Sequence, residues 1–286
     1  MKPILALRTR IYIVTRPLIA FIDSLISSVW HDFPLGRYPI GSEQLYLELA
    51  NKASSISYPE IDSYERDVGY SIDLEWLNDL ALQTQVVCKT SPVCYEHGRL
   101  LYSTIRAYLA DNNFSPTEKL SIVETGTARG FSSICMAKAL HDASHPGVIH
   151  TFDLLPHDVP IYWNCIADHQ RGPLSRSSLL DRWNNLISNY IIFISGDTRN
   201  QLQKMHFSRV HLAFLDGAHT FDDIIFEFNQ IKDHQKSGDY IIYDDYTPSY
   251  FPELVKAVDY ICLTYSYSFL KISASTSRGY LIAIKN

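Results

Sequence analysis

The sequence predicts an α/β protein whose main part is a doubly wound, mostly parallel sheet of seven strands, preceded by a helical extension. From Leu120 onward, short β-rich runs alternate with segments of helical spacing, which is typical of a parallel sheet covered by helices on both faces. A glycine-rich turn joins the first run to a helical segment. The last two runs flank residues 275–279, which predicts an antiparallel hairpin at one edge of the sheet.

The first part of the chain is predicted to be mostly helical. Apolar residues recur at helical spacing in residues 43–53, 72–83 and 95–109. Residues 54–69 are rich in Ser, Tyr and Pro, and we expect a loop there. The sequence therefore predicts a helical N-terminal extension over residues 1–115 that serves oligomerisation or caps the following domain.

The second predicted domain covers residues 116–286 and contains the sheet. Its strands are expected at residues 121–124, 148–153, 191–195, 210–215, 240–243, 268–272 and 280–285. Residues 156–186 are too long for a simple connection between a strand and a helix, and they contain Trp163 and Trp183. Because such insertions commonly line a pocket, we expect an acceptor-binding cap, with a helical excursion on the surface as the alternative.

The composition is that of a globular protein with a full core, since 46% of the 286 residues are hydrophobic. Lys and Arg total 25 against 31 Asp and Glu, which gives a net charge of −6, and no basic stripe is present in the second half. A nucleic-acid partner is therefore not expected. The five cysteines are scattered and include no CxxC pair, which predicts unpaired thiols in a reducing, cytoplasmic compartment.

The first thirty residues are basic and apolar, with Arg16, Pro17 and Asp23 interrupting the apolar run. No uncharged span is long enough for a membrane helix, and no small-residue cleavage site is evident, so neither a transmembrane span nor a secretion signal is predicted. Two interpretations remain: an amphipathic helix on a membrane surface or a partner, and an ordinary helix packed on its own domain or on a dimer mate. We favour the second, and a homo-oligomer is consistent with it.

A glycine turn follows the first predicted strand and leads into a helix. Glu124, Thr125, Gly126, Thr127 and Gly130 form this turn, in which glycines let the backbone approach a ligand and the free amides at the helix start face it. Glu124 stands where the dinucleotide fingerprint G-x-G-x-x-G has its first glycine. A carboxylate there would repel a pyrophosphate but suits the cationic groups of S-adenosylmethionine, so these five residues are candidates for binding that cofactor.

Two further candidate cofactor segments follow the next strands. Asp153 ends the second strand at the distance from Gly130 where an acidic residue receives ribose hydroxyls in doubly wound folds, with a turn or cap role as the alternative. Gly196, Asp197 and Thr198 follow the third strand, where they would border the adenine. A plain turn with a helix cap explains these three residues almost as well.

These motifs resemble those of the class I S-adenosylmethionine-dependent methyltransferases, which have a Rossmann-like fold, and the resemblance covers residues 118–286. The residues that carry it are the glycine turn at 124–130, Asp153, the segment 215–219 and the segment 243–245. Within that class the chain looks most similar to the metal-dependent O-methyltransferases of natural products, such as the macrolide-sugar enzymes. The resemblance implies that the first aspartate and the acidic pair hold magnesium and that the histidine is the base.

The residue types support this metal and base assignment independently. Asp216, Asp244 and Asp245 follow two predicted parallel strands, so their side chains are expected at the same edge of the sheet. Ligation by oxygen alone suits Mg²⁺ or another hard divalent cation. His219 lies three residues after Asp216 and can accept a proton near neutral pH, with packing against the next helix as its alternative role. For the aspartates, the alternative is capping and solvation at the surface.

The predicted function is the transfer of a methyl group from S-adenosylmethionine to a hydroxyl of a small molecule, either a sugar or a phenol. Trp163, Trp183 and several Tyr residues in and around the insertion would stack on a pyranose ring, and a phenol would suit the same walls. One alternative is a metal-independent S-adenosylmethionine methyltransferase, in which the acids serve structure. The other is a non-catalytic protein that binds the cofactor as a scaffold, while a nicotinamide-dependent oxidoreductase is disfavoured by Glu124.

Overall fold

The computed structural model describes residues 35, 38–115 and 117–286. The interpretation of residues 1–30 as a packed or surface-bound helix lies outside the described residues. Among the residues described, no helix combines the length and the apolar character needed to cross a bilayer. The five cysteines all belong to this part of the chain and are unpaired.

The described elements alternate as the sequence predicts. The α-helices are α1 (Glu43–Ser54), α2 (Pro59–Val68), α3 (Leu74–Thr84), α4 (His97–Asp111), α5 (Phe131–Asp142), α6 (Ala167–Arg171), α7 (Arg176–Leu179), α8 (Asn184–Tyr190), α9 (Thr198–Leu202), α10 (Phe221–Ile231) and α11 (Pro252–Thr264). The strands are β1 (Leu120–Thr125), β2 (Gly147–Asp153), β3 (Ile191–Ser195), β4 (Leu212–Leu215), β5 (Tyr240–Tyr243), β6 (Tyr267–Ser275) and β7 (Arg278–Lys285). Short 3-10 helices lie at Asp181–Trp183 and Lys232–His234.

The seven strands form one sheet in the order β3-β2-β1-β4-β5-β7-β6, which confirms the predicted fold class. Strands β1 to β5 are parallel to their neighbours, whereas β7 pairs antiparallel with both β5 and β6. The hairpin is therefore at one edge, as predicted, but its second strand is the inner one. The strand order reverses at β1, so that the carboxyl ends of β1 and β4 face the crevice where ligands bind in open α/β sheets.

The helical extension shares a hydrophobic core with the sheet. One cluster of buried side chains includes Leu77 in α3, Leu101 in α4 and Ile122 in β1. A second cluster covers the opposite face, with Val123 in β1 packing among residues of α10 and α11. Burial of apolar surface from both halves of the chain in one cluster stabilises them together.

The prediction of a loop at residues 54–69 is wrong, because Pro59–Val68 forms helix α2. Pro59 occupies its first turn, where a missing amide costs no hydrogen bond, and Gly69 ends it with a φ of 76°. Glu65 on this helix forms an ion pair with Arg99 of α4. The helix is thus stabilised by a long-range contact that its local composition does not reveal.

Candidate active site

The glycine turn and the acidic segments meet at the carboxyl edge of the sheet. The amide of Asp216 donates to the carbonyl of Thr125 at 3.1 Å, and the amide of Asp244 donates to Leu215 at 3.2 Å. Gly126, with a φ of 88°, lies so close that a Cβ atom there would be 2.1 Å from the carbonyl oxygen of Asp216. Only glycine tolerates both this conformation and this approach. The sequence-predicted cofactor turn and metal segment therefore share one edge.

Glu124 is fully buried beneath the turn. The hydroxyls of Ser132 and Ser133, in the first turn of α5, donate one hydrogen bond to each of its two carboxylate oxygens. Burial raises the pKa of Glu124, and the two serines oppose that shift. Because both oxygens are engaged by serine hydroxyls, the carboxylate is oriented towards the start of α5. Its direct contact with a bound donor stays a prediction.

The other residues of the turn are held by internal contacts. Thr125 donates its hydroxyl to Glu227 at 3.2 Å, and the hydroxyl of Thr127 lies 2.5 Å from that of Thr151. Gly130 precedes α5 with a φ of 91°, and a Cβ atom on it would be 2.8 Å from a methyl group of Leu180. These bonds fix the shape of the turn, while their role towards a ligand stays a prediction.

Asp153 lies at the carboxyl end of β2, where the sequence predicts a ribose contact. Its carboxylate accepts hydrogen bonds from the amides of Ala128 at 2.5 Å and Leu155 at 2.6 Å. Burial raises the pKa of Asp153, and these amides together with the Arg176 guanidinium, 3.8 Å away, oppose the shift. Arg176 also donates to the carbonyl of Ala128 at 2.9 Å. This arginine, which belongs to the insertion predicted as a cap, connects the insertion to the glycine turn.

The segment after β3 borders Asp153 and includes a helix cap. The amide of Gly196 donates to the carbonyl of Asp153 at 2.8 Å. The carboxylate of Asp197 caps the helix that begins at Thr198, accepting from the amide of Asn200 at 2.9 Å. The cap role weighed for Asp197 is thus present, and an adenine contact by these residues stays a prediction.

The tryptophans of the insertion do not form the expected stacking surface. Trp163 is completely buried, and its indole donates to the carbonyl of Leu174 at 2.7 Å. Trp183 is 6% exposed. Arg129 of the glycine turn donates to the carbonyl of Trp163 at 2.6 Å. The expectation that Trp163 and Trp183 stack on a sugar is therefore wrong, since both belong to the core that supports the turn.

Three side chains converge at the ends of β4 and β5 with the geometry of a cation site. One ligating atom each of Asp216, His219 and Asp245 lies within 4.8 Å of the others. The Nε2 atom of His219 is buried without a directed hydrogen bond among the described residues, and it is 3.1 Å from Oδ2 of Asp245. Asp245 has a φ of 54°, in the left-handed region that non-glycine residues rarely occupy.

Asp244, the third predicted metal ligand, forms an ion pair with Arg278, an arginine that the sequence analysis did not identify. Nη2 of Arg278 lies 2.5 Å from Oδ2 of Asp244, and Nη1 lies 2.8 Å from Oδ1 of Asp245. The second oxygen of Asp244 accepts from the amide of Asp245 at 2.6 Å. Its ligation of a metal stays a prediction. The sequence placed Arg278 in the turn between the last two predicted strands, and that position gives no contact without the strand order.

Asp216, Asp244 and Asp245 lie close to one another, and their pKa values diverge. Burial, followed by the charges of Asp244 and Asp245, raises the pKa of Asp216 well above its ordinary value. Burial also raises the pKa of Asp244 to about 6, although Arg278 opposes it. For Asp245, burial is outweighed by Arg278 and His219, which lower its pKa. Three neighbouring carboxylates do not all ionise readily beside one guanidinium, and a hard cation would favour their ionised forms.

Part of the chain matches a known protein family. Residues 123–246 match the family model of a methyltransferase domain. No curated protein sequence matches the chain. The matched segment contains the glycine turn and the acidic segments that follow β4 and β5.

Several solved structures share this fold. The O-methyltransferase NovP is 16% identical with a TM-score of 0.51, over 70% of this chain and 83% of NovP. Cofactor-bound Rv0187 from MTB is 14% identical with a TM-score of 0.54, over 81% of this chain and 100% of Rv0187. TomG from Streptomyces achromogenes, an O-methyltransferase involved in tomaymycin synthesis and solved with SAM, is 14% identical with a TM-score of 0.50, over 76% of this chain and 92% of TomG. At these identities the likeness is one of fold.

Proposed function

We propose that the protein is an O-methyltransferase that moves the methyl group of S-adenosylmethionine to a hydroxyl of a small molecule, assisted by Mg²⁺ or another hard divalent cation. The observation that carries the proposal is the convergence of Asp216, His219 and Asp245 directly beside the glycine turn. A methyl donor in the turn and a hydroxyl at the acidic cluster would then be neighbours, as an in-line transfer requires.

The donor would be held at the carboxyl ends of β1 and β2. Gly126 and Gly130 supply a turn that lies close to the sheet edge, and Asp153 supplies a nearly buried carboxylate next to it. Glu124 adds a second negative charge beneath the turn. This donor set suits a cationic ligand with ribose hydroxyls better than a dinucleotide with its pyrophosphate. When bound, the donor supplies an electrophilic methyl group.

The residues of the acidic cluster fit a divalent cation. Asp216 and Asp245 offer oxygens, while the buried Nε2 of His219 has no directed hydrogen bond among the described residues. Asp244 adds charge from within the cluster, although Arg278 holds it. A bound cation makes a coordinated hydroxyl more acidic and so a better nucleophile. His219 is the proposed base, and the Asp245 carboxylate beside it stabilises the imidazolium formed when it accepts the proton.

The acceptor is proposed to be a sugar or a phenol, on the basis of aromatic side chains other than the two tryptophans. The ring of Phe251 lies 4.6 Å from that of His219, centroid to centroid. The preceding residue, Tyr250, is 62% exposed. Flat apolar faces next to the proposed base suit either kind of acceptor ring. The net charge of −6 favours a small molecule over nucleic acid, and the scattered unpaired cysteines favour a cytoplasmic protein.

A second candidate is a metal-independent methyltransferase, and Arg278 is the observation that favours it. This guanidinium already contacts both Asp244 and Asp245, so it supplies positive charge to the cluster without a metal. In this alternative the aspartates serve structure. Assembly through the N-terminal extension is also proposed, on the basis of its basic and apolar first thirty residues.

The test is a calorimetric titration of the full chain with S-adenosylhomocysteine, with and without Mg²⁺, followed by a screen of sugar and phenol acceptors. We expect binding of the donor product, and turnover that EDTA abolishes and Mg²⁺ restores. Turnover that EDTA leaves unchanged would favour the metal-independent candidate. Absence of both binding and turnover would contradict the proposal as a whole.

A further inference from the structure

We propose that Arg278 is the positioning residue of the acidic cluster and its internal counter-ion, and that a buried relay through Tyr280 to Glu96 anchors it on the N-terminal extension. The inference rests on the proposed function, because it concerns how the cluster is prepared for a cation. It gives a role to an arginine in the last strand and makes the helical extension part of the site.

All three nitrogens of the Arg278 guanidinium are engaged. Nη2 contacts Asp244 at 2.5 Å, Nη1 contacts Asp245 at 2.8 Å, and Nε donates to the hydroxyl of Tyr280 at 3.2 Å. A planar guanidinium presents its donors in a rigid fork, so bonds to two carboxylates fix the angle between them. Arg278 therefore sets the relative orientation of the adjacent aspartates, which a lysine with its single nitrogen would not do.

The relay continues into the extension. The Tyr280 hydroxyl accepts from Arg278 and donates to Oε1 of Glu96 at 3.0 Å. Tyr280 is completely buried, and Glu96 is 1% exposed. Glu96 immediately precedes α4, which packs in the same hydrophobic cluster as β1. The Tyr280 hydroxyl thus connects Arg278 to Glu96, and the surrounding core fixes the position of this relay.

This arrangement selects which ligand atoms remain available. Because Arg278 takes Oδ1 of Asp245, Oδ2 is the oxygen that faces Nε2 of His219 at 3.1 Å. Both oxygens of Asp244 are taken, one by Arg278 and one by the amide of Asp245. Asp216 has no such arginine partner among the described residues. The atoms presented together are those of Asp216, His219 and Asp245.

The same arginine keeps the cluster stable without a cation. Three carboxylates lie together, and Asp244 is completely buried, so removal of the guanidinium leaves a buried charge without its partner. A divalent cation at the cluster would then take over as the counter-ion. Loss of Arg278 should therefore make the stability of the folded protein depend on the cation.

The experiment measures thermal unfolding of the full chain in EDTA and in millimolar Mg²⁺ for the wild type, Arg278→Met and Arg278→Lys. The matched control is Arg209→Met. Arg209 pairs with Asp239 at 2.8 Å at the other end of β5, and its side chain is 20% exposed against 19% for Arg278, while both aspartates are 0% exposed. The two pairs are thus alike in burial and differ in their surroundings.

We expect Arg278→Met to lower Tm in EDTA by on the order of 10 °C, and Mg²⁺ to restore at least half of that loss. Arg209→Met should lower Tm equally in both conditions. Arg278→Lys should recover much of the Tm in EDTA but not the turnover, because it restores charge without the fork. An equal Tm loss for Arg278→Met with and without Mg²⁺ would overturn the inference.

If Arg278→Met does not fold, Tyr280→Phe takes its place, because it removes the relay hydroxyl and leaves the guanidinium. Its smaller Tm loss should also be partly restored by Mg²⁺, and a Tm loss that is the same with and without Mg²⁺ contradicts the relay.

The result for Arg278 can be separated from the result for the proposed function. Mg²⁺ that stabilises Arg278→Met while the wild type turns over without it supports the counter-ion role and contradicts the metal-assisted reaction. Wild-type turnover that needs Mg²⁺, with an Arg278→Met loss indifferent to Mg²⁺, gives the reverse conclusion.

Discussion

The two ends of strand β5 each carry a buried aspartate paired with an arginine, yet only the carboxyl end places two further aspartates beside that pair. At the amino end, Asp239 accepts from Tyr108 at 2.7 Å, from Arg209 at 2.8 Å and 3.2 Å, and from the amide of Lys236 at 2.6 Å. At the carboxyl end, Asp244 and Arg278 lie beside two further aspartates and the buried Nε2 of His219, which makes no directed hydrogen bond among the described residues.

The difference separates a structural network from a candidate functional one. A buried carboxylate whose oxygens are all satisfied contributes order and has nothing left to offer a ligand. A cluster in which two carboxylates share one arginine and a third carboxylate lies beside them is the kind of place where perturbed pKa values concentrate. Burial alone does not distinguish the two ends, because Asp239 and Asp244 are both inaccessible. The hydrogen bonds that the two aspartates accept do distinguish the ends, because Asp239 accepts four and Asp244 accepts two.

The largest effect is expected for Asp216→Asn at the carboxyl end. Loss of this carboxylate should reduce kcat/KM by roughly 10³-fold, since metal assistance is worth several kcal/mol. Asp239→Asn is the counterpart at the amino end, where we expect lower stability and unchanged turnover of the folded protein. Full turnover in Asp216→Asn would remove the functional distinction between the ends.

The next largest effect concerns the contact between the glycine turn and Asp216. Gly126→Ala should lower the free energy of unfolding by on the order of 3 kcal/mol, because it adds a collision with the Asp216 carbonyl to the strain of a positive φ. Gly238, just before β5, has a similar φ of 85° but open space around it, so Gly238→Ala should cost about 1 kcal/mol. Denaturant unfolding measures both free energies, and equal losses of stability in the two variants would show that the close approach of Gly126 to Asp216 does not contribute.

His219→Gln distinguishes a base from a metal ligand. A base role predicts that kcat falls by about 10²-fold while the calorimetric Kd for Mg²⁺ is unchanged. A ligand role predicts a weaker Kd. His211 near the amino end accepts from the amide of Ser121 at 3.0 Å, and His211→Gln should alter stability alone. A variant of His219 with normal kcat and normal Kd would exclude both roles.

The smallest effect is a pH dependence of stability from Glu227, which accepts from Thr125 beneath the carboxyl edge. Burial raises the pKa of Glu227 to about 8, against the opposing hydrogen bond from Thr125. The unfolded chain releases this proton near pH 4.3, so folded stability falls as pH rises from there towards 8. Between pH 6 and pH 8, the wild type should lose about 2 kcal/mol more than Glu227→Gln. Parallel pH profiles of the two proteins would contradict the burial of this group.

The sequence was sufficient for features that depend on local pattern. The strand periods, the glycine turn and the aspartates after β4 and β5 are each encoded within a few consecutive residues, and parallel topology then brings their ends together. Helix α2 was missed because its Ser, Tyr and Pro content resembles a loop, while the contact of Glu65 with Arg99 stabilises it from a distance. Trp163 was assigned to a surface because its position in an insertion does not reveal that it is buried.

Arg278 was missed for a topological reason. Its contact with Asp244 and Asp245 exists only because β7 enters the sheet between β5 and β6. The hairpin pattern gives two strands without saying which of them lies next to β5. Sequence pattern alone therefore does not predict contacts made by residues of an antiparallel strand that is added to a parallel sheet.

The hydrogen bond between Tyr280 and Glu96 joins positions 184 residues apart in the chain. Closing a contact of such long separation costs more chain entropy than closing a local one, so it depends on both halves of the chain being folded. An intermediate in which the parallel strands have assembled but the Tyr280–Glu96 hydrogen bond has not formed would have Asp244 and Asp245 without Arg278 in place. The activity of the protein should consequently vanish at milder denaturant concentrations than its helical signal, making turnover a sensitive reporter of whether both halves of the polypeptide have docked.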